Sequence, residues 1–192
     1  GPGHWNDNDM LTIGCNNESA PVGGNVPCSG YQSIEEQRSQ FALWSIQASP
    51  LILGHDVRFM SDPIRKIVTN KEIIALNQDP LGHRAYIAYQ SDPHKRTLTI
   101  FVKRLVSKKV PRAVALFNRG EVSASMSLTR AMLKLPAGEA ACSSLAFRDL
   151  DQHQDLKSNV TGKGVVFEAT IPPHVALTMS VTCEGSTDML IV

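Results

Sequence analysis

The segment Gly3-His4-Trp5-Asn6-Asp7-Asn8-Asp9-Met10 concentrates side chains that are suited to binding a polar ligand. Within eight residues it places a tryptophan, two carboxylates and two amides. Carboxylates and amides offer directional hydrogen bonds to sugar hydroxyls, and a tryptophan ring offers an apolar face to the C–H groups of a sugar ring. Taken alone, the same composition also fits a polar turn with a buried tryptophan, so both interpretations stay open at this point.

Other catalytic and metal-binding patterns do not occur in the sequence. The four cysteines form no CxxC pair, and the state of Cys142 and Cys183 is left open. The six histidines lie without ligand spacing, and there is no HExxH, no G-x-S-x-G and no phosphate-binding glycine loop. We therefore expect no metal and no cofactor.

Composition bounds the class of protein. The 192 residues include 19 Lys plus Arg against 18 Asp plus Glu, a formal net charge of +1, and 42% are hydrophobic. That hydrophobic fraction supports a folded core, and the length suits one large domain or two small ones. A protein that neutralises nucleic-acid phosphates usually has a larger basic excess, and no apolar run approaches the roughly 20 residues of a membrane helix. We therefore expect neither nucleic acid nor a membrane as a partner.

Cysteines and glycosylation sequons bear on the compartment. Cys15 and Cys28 bracket a segment rich in Gly, Asn, Pro and Ser, where a disulfide would stabilise a short loop by roughly 3 kcal/mol. Asn17 and Asn159 begin the two N-x-S/T sequons and are candidate glycosylation sites. Together these features favour a secreted or lysosomal-type protein, and reduced, buried cysteines in a cytoplasmic protein are the alternative.

The first eighty residues alternate loops with helical patterns. Ser33 and Glu36 can form a capping box, which predicts a helix from there to the break at Ser49-Pro50. The run Pro50 to Gly54 is wholly apolar, as is typical of a strand buried on both faces of a parallel sheet. Two further helix starts are predicted at Ser61-Asp62-Pro63 and at Asn70. Helix, buried strand and helix in this order favour an α/β fold.

From Leu81 the apolar residues change to a period of two. Seven short runs are predicted as strands: 86–89, 97–102, 113–117, 122–128, 145–150, 165–171 and 175–181. Short strands at such regular spacing are typical of an antiparallel sandwich or meander. Within this half, the stretch from Lys95 to Arg112 holds seven cations and no acidic residue. It is either a solvated hairpin surface or a patch that binds polyanions, and in the latter case the β half is a non-catalytic binding module.

Residues 1–10 resemble the G-P-G-[GH]-W-N-D-P-D-M motif of the α-galactosidase and α-N-acetylgalactosaminidase family of glycoside hydrolases. Asn8 replaces the usual proline, and asparagine also tolerates a tight turn. The resemblance continues in the same order along nearly the whole chain. It includes the runs 41–44, 49–58, 70–82, 114–120, 147–153 and 167–174.

This resemblance implies a retaining exo-glycosidase whose (β/α)₈ barrel carries the active site and precedes an antiparallel β domain. It implies that residues 1–80 are the last two βα units of the barrel, that 81–185 are an antiparallel β-sandwich and that 186–192 are a flexible tail. Because an incomplete barrel leaves its strand edges open, we expect a second copy or an upstream barrel portion to complete the fold.

The resemblance also bears on the catalytic groups. The two catalytic aspartates of the family lie on earlier barrel strands, so we expect both of them upstream of Gly1. We therefore expect no catalytic residue in this chain and no activity of the chain alone.

Roles of single residues follow from the same resemblance. Asp9 and Met10 lie against the bound galactose in the family, and Asp9 is the expected direct contact with an α-galactoside. The supporting shell of that loop is expected to be Trp5, Asn6 and Asp7. The barrel rim is expected to be held by His55, Asp56 and Arg58, with Arg58 paired to Asp56 or Asp62. The choice between galactose and N-acetylgalactosamine stays open.

Overall fold

The computed structural model describes residues 1–14, 32–92, 94–106, 112–135, 142, 144–158 and 164–183. Several sequence predictions therefore lie outside the described residues: the Cys15–Cys28 disulfide, glycosylation at Asn17 and Asn159, and the tail 186–192. Within the described ranges, no helix is long and apolar enough to cross a membrane.

Helix α1 (Ile34–Ile46) begins with the predicted capping box. The Glu36 N–H donates to Ser33 Oγ at 3.2 Å, and the Ser33 N–H donates to Glu36 Oε2 at 2.7 Å. The helix ends before the predicted proline break because Ala48 turns into the left-handed region with φ of 56°. Its last turn closes with the Ser49 N–H donating to the Trp44 carbonyl at 3.0 Å.

Two short helices and one 3₁₀ turn follow α1. The 3₁₀ turn spans Val57–Phe59, α2 spans Asp62–Val68 and α3 spans Lys71–Asn77. As predicted, Asn70 caps α3, since its Oδ1 accepts from the Ile73 N–H at 3.1 Å. The apolar faces of α2 and α3 are buried through Ile64, Ile67, Ile73 and Leu76.

Two extended segments of the first half pair in parallel around Leu11 and Leu53. The Leu11 N–H donates to the Ile52 carbonyl at 2.8 Å, and the Gly54 N–H donates to the Leu11 carbonyl at 2.9 Å. The prediction that residues 50–54 are buried on both faces is wrong, because Ile52 is 57% exposed. Within the described residues this segment has one neighbouring strand segment, so part of its surface stays open.

The second half is antiparallel, as predicted. The strands are β1 (Tyr86–Gln90), β2 (Leu98–Arg104), β3 (Arg112–Asn118), β4 (Ala124–Thr129), β5 (Leu145–Asp149), β6 (Gln154–Leu156), β7 (Val165–Ile171) and β8 (Ala176–Cys183). A six-stranded sheet has the order β1-β2-β3-β8-β5-β6, and β4 pairs with β7. A 3₁₀ turn at Arg130–Leu133 follows β4.

Strand β3 shows how the layers pack. Val114 and Leu116 belong to the core between the six-stranded sheet and the β4–β7 pair. Ala113 and Ala115 point to the other face and share a core with residues of α1 such as Phe41. Because these alanines are small, α1 can lie close to the sheet, so both faces of the central strands are buried.

Candidate functional site

The loop at residues 7–10 is closed by its own aspartates. Asp7 Oδ1 accepts from the Asp9 N–H at 2.9 Å, and Asp9 Oδ1 accepts from the Met10 N–H at 2.7 Å. Asp9 has φ of 67°, a left-handed conformation that a non-glycine residue adopts at some cost. The side chain to backbone bonds offset that cost. Within the described part of the chain, Asp9 Oδ2 makes no hydrogen bond, so this oxygen can accept from a hydroxyl group.

Helix α1 holds the main chain that follows this loop. Three side chains spaced over two helical turns contact successive backbone groups between residues 9 and 14. The bonds are Trp44 Nε1–H to the Asp9 carbonyl (2.9 Å), Thr12 N–H to Gln40 Oε1 (3.2 Å) and Gly14 N–H to Gln37 Oε1 (2.7 Å). On its other edge, the same segment pairs with residues 52–54 through Leu11. The position of Asp9 is therefore set by a helix and by a parallel strand segment.

The two large apolar side chains of the loop face solvent. Trp5 and Met10 are each 50% exposed, and Asp7 and Asp9 are exposed beside them. The Trp5 ring rests against Gly82, where a methyl group would lie 2.6 Å from Trp5 Cη2. The segment thus presents acceptor oxygens next to apolar surface, which is the combination that a sugar ring requires.

The predicted supporting residues differ in their contacts. Asp7 contacts the Asp9 amide, Trp5 contacts Gly82, and Asn6 is half-buried. These placements are compatible with a supporting shell, whereas contact of Asp9 and Met10 with a sugar stays a prediction.

Both catalytic aspartates are expected upstream of Gly1, and their location stays a prediction. Gly1 is exposed, and its carbonyl accepts from the His4 N–H at 2.8 Å in a turn that precedes the candidate loop.

The expected rim residues lie directly after the second parallel segment. Asp56 caps the 3₁₀ turn, and its carboxylate binds the Arg58 guanidinium, with Nη2 to Oδ2 at 2.5 Å. Hydrogen bonds from the Arg58 side chain and amide hold the pKa of Asp56 at about 2. Burial lowers the pKa of the neighbouring His55, whose ring lies against Gly14. Of the two partners considered for Arg58, the structure therefore favours Asp56.

The basic stretch of the β half is only partly exposed. Lys103 is fully buried, and its ammonium donates to the Leu76 carbonyl. Burial lowers the pKa of Lys103 to about 8, against the opposing effect of Asp79. Arg112 is also buried and donates from Nε to the Leu133 carbonyl at 3.0 Å. Two of the seven cations are thus unavailable to a polyanion, because β2 and β3 have buried faces on both sides.

A disulfide joins Cys142 to Cys183, the last residue of β8. The sequence left the state of these two cysteines open, because the bridge spans 41 residues and depends on how β5 and β8 pair. Among the described residues, no group of three His, Cys, Asp or Glu side chains could hold a metal ion.

A cleft of about 700 Å³ lies between the α2–α3 connection and the turn after β5. Three of the charged side chains that line it are paired within the protein: Arg38 Nη1 binds Asp151 at 2.5 Å, and Glu72 binds Arg148 at 2.9 Å. These pairs join the helices to the β-sandwich, which is a structural role.

Sequence models of known families match both halves of the chain. The one described as alpha galactosidase A matches residues 1–79, and the alpha galactosidase C-terminal beta sandwich domain matches residues 95–180. The candidate loop lies in the first match, and most of the β-sandwich lies in the second.

The chain is also similar in sequence and structure to individual proteins with these names. Alpha-galactosidase 3 of Arabidopsis thaliana is 34% identical over 174 residues, which cover 91% of this chain and 34% of that protein. Alpha-N-acetylgalactosaminidase of Gallus gallus is 34% identical over 140 residues, covering 73% of this chain and 30% of that protein. The crystal structure of alpha-galactosidase I from Mortierella vinacea matches with a TM-score of 0.68 and 27% identity, over 95% of this chain and 41% of that one. The chain spans about a third of the length of the curated relatives that it matches.

Proposed function

The chain belongs to the α-galactosidase and α-N-acetylgalactosaminidase family of glycoside hydrolases, and we propose that it supplies the C-terminal part of such an enzyme. The complete enzyme removes terminal α-linked galactose, or its N-acetylated analogue, with retention of configuration. Two observations support this proposal: the two family matches occur in the expected order, and the chain aligns with only about a third of the Arabidopsis thaliana and Gallus gallus relatives.

In this proposal, residues 1–80 are the last two βα units of a (β/α)₈ barrel, and residues 81–185 are the β-sandwich domain. The parallel pairing of Leu11 with Leu53, each segment being followed by helices, supports the barrel assignment. A barrel of this kind needs roughly 250 residues to close. The remaining strands therefore come from an upstream portion or from a second copy of the chain.

Exposed apolar residues near the open strand edges support that completion. Trp5 and Met10 are half exposed, and Ile52 and Val57 are each 57% exposed. Side chains of this size are costly to leave in water when they cluster at unpaired strands. In a closed barrel they would lie against neighbouring strands or a bound sugar.

The proposed role of this chain in the reaction is to bind the sugar. Asp9 Oδ2 accepts a hydrogen bond from a galactose hydroxyl, Met10 contacts the ring, and Trp5 supports the loop through its contact with Gly82. A retaining glycosidase also needs a nucleophile and an acid/base carboxyl about 5 Å apart. We propose that both aspartates lie outside this chain, upstream of Gly1. The single observation that carries the binding role is the fixed, solvent-facing conformation of Asp9.

The compartment that fits the proposal is secreted or lysosomal-type. The Cys142–Cys183 disulfide supports it, because structural disulfides persist in oxidising compartments. Occupancy of the sequons at Asn17 and Asn159 would support it independently.

Hydrolysis of a chromogenic α-galactoside by the purified chain tests the division of roles. Mass spectrometry of the same sample establishes that no upstream fragment is present. We expect no hydrolysis above the rate in buffer, because the nucleophile and the proton donor are missing. Activity that is lost in Asp9→Asn would contradict the proposal, since the chain would then carry its own catalytic pair.

The second candidate function is a non-catalytic β-sandwich module that binds carbohydrate or polyanions. Lys95, Arg96 and Arg104 remain exposed, whereas Lys103 and Arg112 do not. Salt-sensitive binding to heparin would favour this candidate.

A further inference from the structure

Helix α1 presents a polar edge to the segment that carries Asp9. Gln37, Gln40 and Trp44 are spaced by three and four residues, so they lie on one face of the helix. Each of them bonds a backbone group of that segment, and Gln40 Oε1 also accepts from the Thr12 hydroxyl at 3.1 Å. The three backbone contacts fix the path of the main chain.

Trp44 makes the contact of greatest consequence. Its indole N–H donates to the carbonyl of Asp9 at 2.9 Å, at the residue with left-handed φ. Asp9 stays in that conformation only if its surroundings hold it there. The left-handed turn at Asp9 also sets the direction of its carboxylate, because Asp9 Oδ1 accepts a hydrogen bond from the Met10 N–H. Trp44 is partly buried and packs at the edge of the helical core, so its own position is fixed.

We propose that Trp44 is a positioning residue for sugar binding: its indole N–H holds Asp9 in the conformation that aims Asp9 Oδ2 at a sugar hydroxyl. This inference rests on the proposed function for the sugar contact itself. It predicts that a residue outside the loop controls affinity for galactose without touching the sugar.

Trp44→Phe removes the donor and keeps most of the apolar bulk. Tyr86→Phe is a matched control, because it also removes one aromatic donor to a main-chain carbonyl, that of Met132 at 2.7 Å. Tyr86 lies on β1 and packs against the core between the six-stranded sheet and the β4–β7 pair, away from the loop that carries Asp9. Both variants lose one hydrogen bond, but only Trp44→Phe loses a bond to the loop that carries Asp9. A difference between the two variants at that loop therefore reports the Trp44 contact and not a general loss of stability.

The first readout is an amide NMR spectrum of the 192-residue chain without sugar. In Trp44→Phe we expect the Asp9 and Met10 amide signals to shift and their hydrogen exchange to accelerate by about five-fold, as for loss of one hydrogen bond. In Tyr86→Phe both signals should stay in place. Unchanged Asp9 and Met10 signals in Trp44→Phe would overturn the proposal.

The second readout is the dissociation constant for galactose. We expect it to rise by about five-fold in Trp44→Phe. Adding Trp44→Phe to Asp9→Asn should cause no further rise, because the tryptophan acts through Asp9. If Trp44→Phe raised the dissociation constant equally in the wild-type and Asp9→Asn proteins, the positioning role would be overturned. A tryptophan that only stabilises the fold would weaken galactose binding in both proteins. If the wild-type chain shows no response to galactose, the proposed sugar contact fails, and the spectra without sugar still decide whether Trp44 holds Asp9.

Discussion

Trp5 rests on Gly82, and that contact ties the candidate sugar-binding loop to the segment that leads into the β-sandwich. A methyl group at Gly82 would lie 2.6 Å from Trp5 Cη2, and the φ of Gly82 is +58°. Both the close approach and the left-handed backbone disfavour a side chain. We expect Gly82→Ala to lower the free energy of unfolding by about 2 kcal/mol. Urea unfolding measures the loss, and tryptophan fluorescence reports the displacement of Trp5.

Gly164 provides the matched control for this prediction. Its φ is +77°, and among the described residues, its chain neighbours aside, no heavy atom lies within 4 Å of the position of a Cβ atom. Gly164→Ala therefore introduces backbone strain without a clash, at a cost of about 1 kcal/mol. Equal losses in the two variants, with unchanged tryptophan emission, would show that Trp5 does not rest on Gly82.

Single residues differ in how far the sequence predicts them. Ser33, Glu36 and Asn70 could be predicted because a helix cap depends on a few neighbouring residues. Lys103 could not be placed by its charge. Side chains alternate along a strand, so Lys103 lies on the face of β2 opposite to Val102, the face that packs against the helices. The C-terminal ends of α1 and α3 cover it there, and their Ser45 and Leu76 carbonyls accept from its ammonium. Burial of a cation there depends on packing between elements, which no local pattern encodes.

The helices and the β-sandwich are joined by charged pairs. Glu72 on α3 accepts two hydrogen bonds from Arg148, both at 2.9 Å, and one contact from His153 at 2.8 Å. Burial alone would raise the pKa of Glu72, but the bonds from Arg148 and His153 outweigh it and lower this pKa. Glu36 on α1 contacts the His174 ring at 2.7 Å in the turn between β7 and β8.

The His174–Glu36 contact makes the docking of α1 dependent on pH. The hydrogen bond to Glu36 raises the pKa of His174 above 6.5, with Glu121 as a second acidic neighbour. The stability that His174 contributes is therefore complete below pH 6.5 and is lost as the pH rises through its folded pKa. Hydrogen bonds from the Ser33 amide and from His174 lower the pKa of Glu36 below 4.5, so its contribution is complete above pH 4.5 and is lost at lower pH. The contact is strongest between these two values.

His174→Asn tests this dependence. Asparagine does not titrate and tolerates the left-handed φ of 60° at this position. Urea unfolding at about pH 5.5 and about pH 8, below and above the ordinary pKa of a histidine, gives the free energy of unfolding of both proteins. We expect the wild type to lose more stability between these two pH values than the variant does. The same loss in both proteins would contradict a contribution from His174.

The positions of the strands along the chain can be predicted from the sequence, whereas their order in the sheets cannot. Seven strand regions could be predicted from short alternating or apolar runs bounded by turns. Strand β1 alternates between half-buried and exposed residues, whereas β3 is apolar because it is buried on both faces. Strand β6 (Gln154–Leu156) was missed, because it is short, polar and exposed at the edge of the sheet. The strand order β1-β2-β3-β8-β5-β6 and the Cys142–Cys183 bridge depend on contacts between distant parts of the chain. A single sequence does not reveal such contacts by periodicity.

At the scale of the whole molecule, the β half forms a six-stranded sheet and a two-stranded sheet, whereas the segments around Leu11 and Leu53 pair only with each other within the described ranges. The candidate sugar-binding loop lies at that open side and is held by α1. The family motif in residues 1–10 indicated the loop from the sequence, but the backbone bonds that hold it became evident only in the structure. This arrangement supports a chain that contributes binding groups to a site completed by further strands.

A galactose titration of the wild-type chain, followed at every assigned amide by NMR, tests whether the loop around Asp9 binds sugar. We expect the shifts to concentrate at residues 5–10, with the largest at Asp9 and Met10, and we expect Asp9→Asn to remove them. Shifts confined to the surface of the β-sandwich, or no shifts at saturating sugar, would contradict binding at this loop. The first of these results would instead favour a binding module carried by the β half.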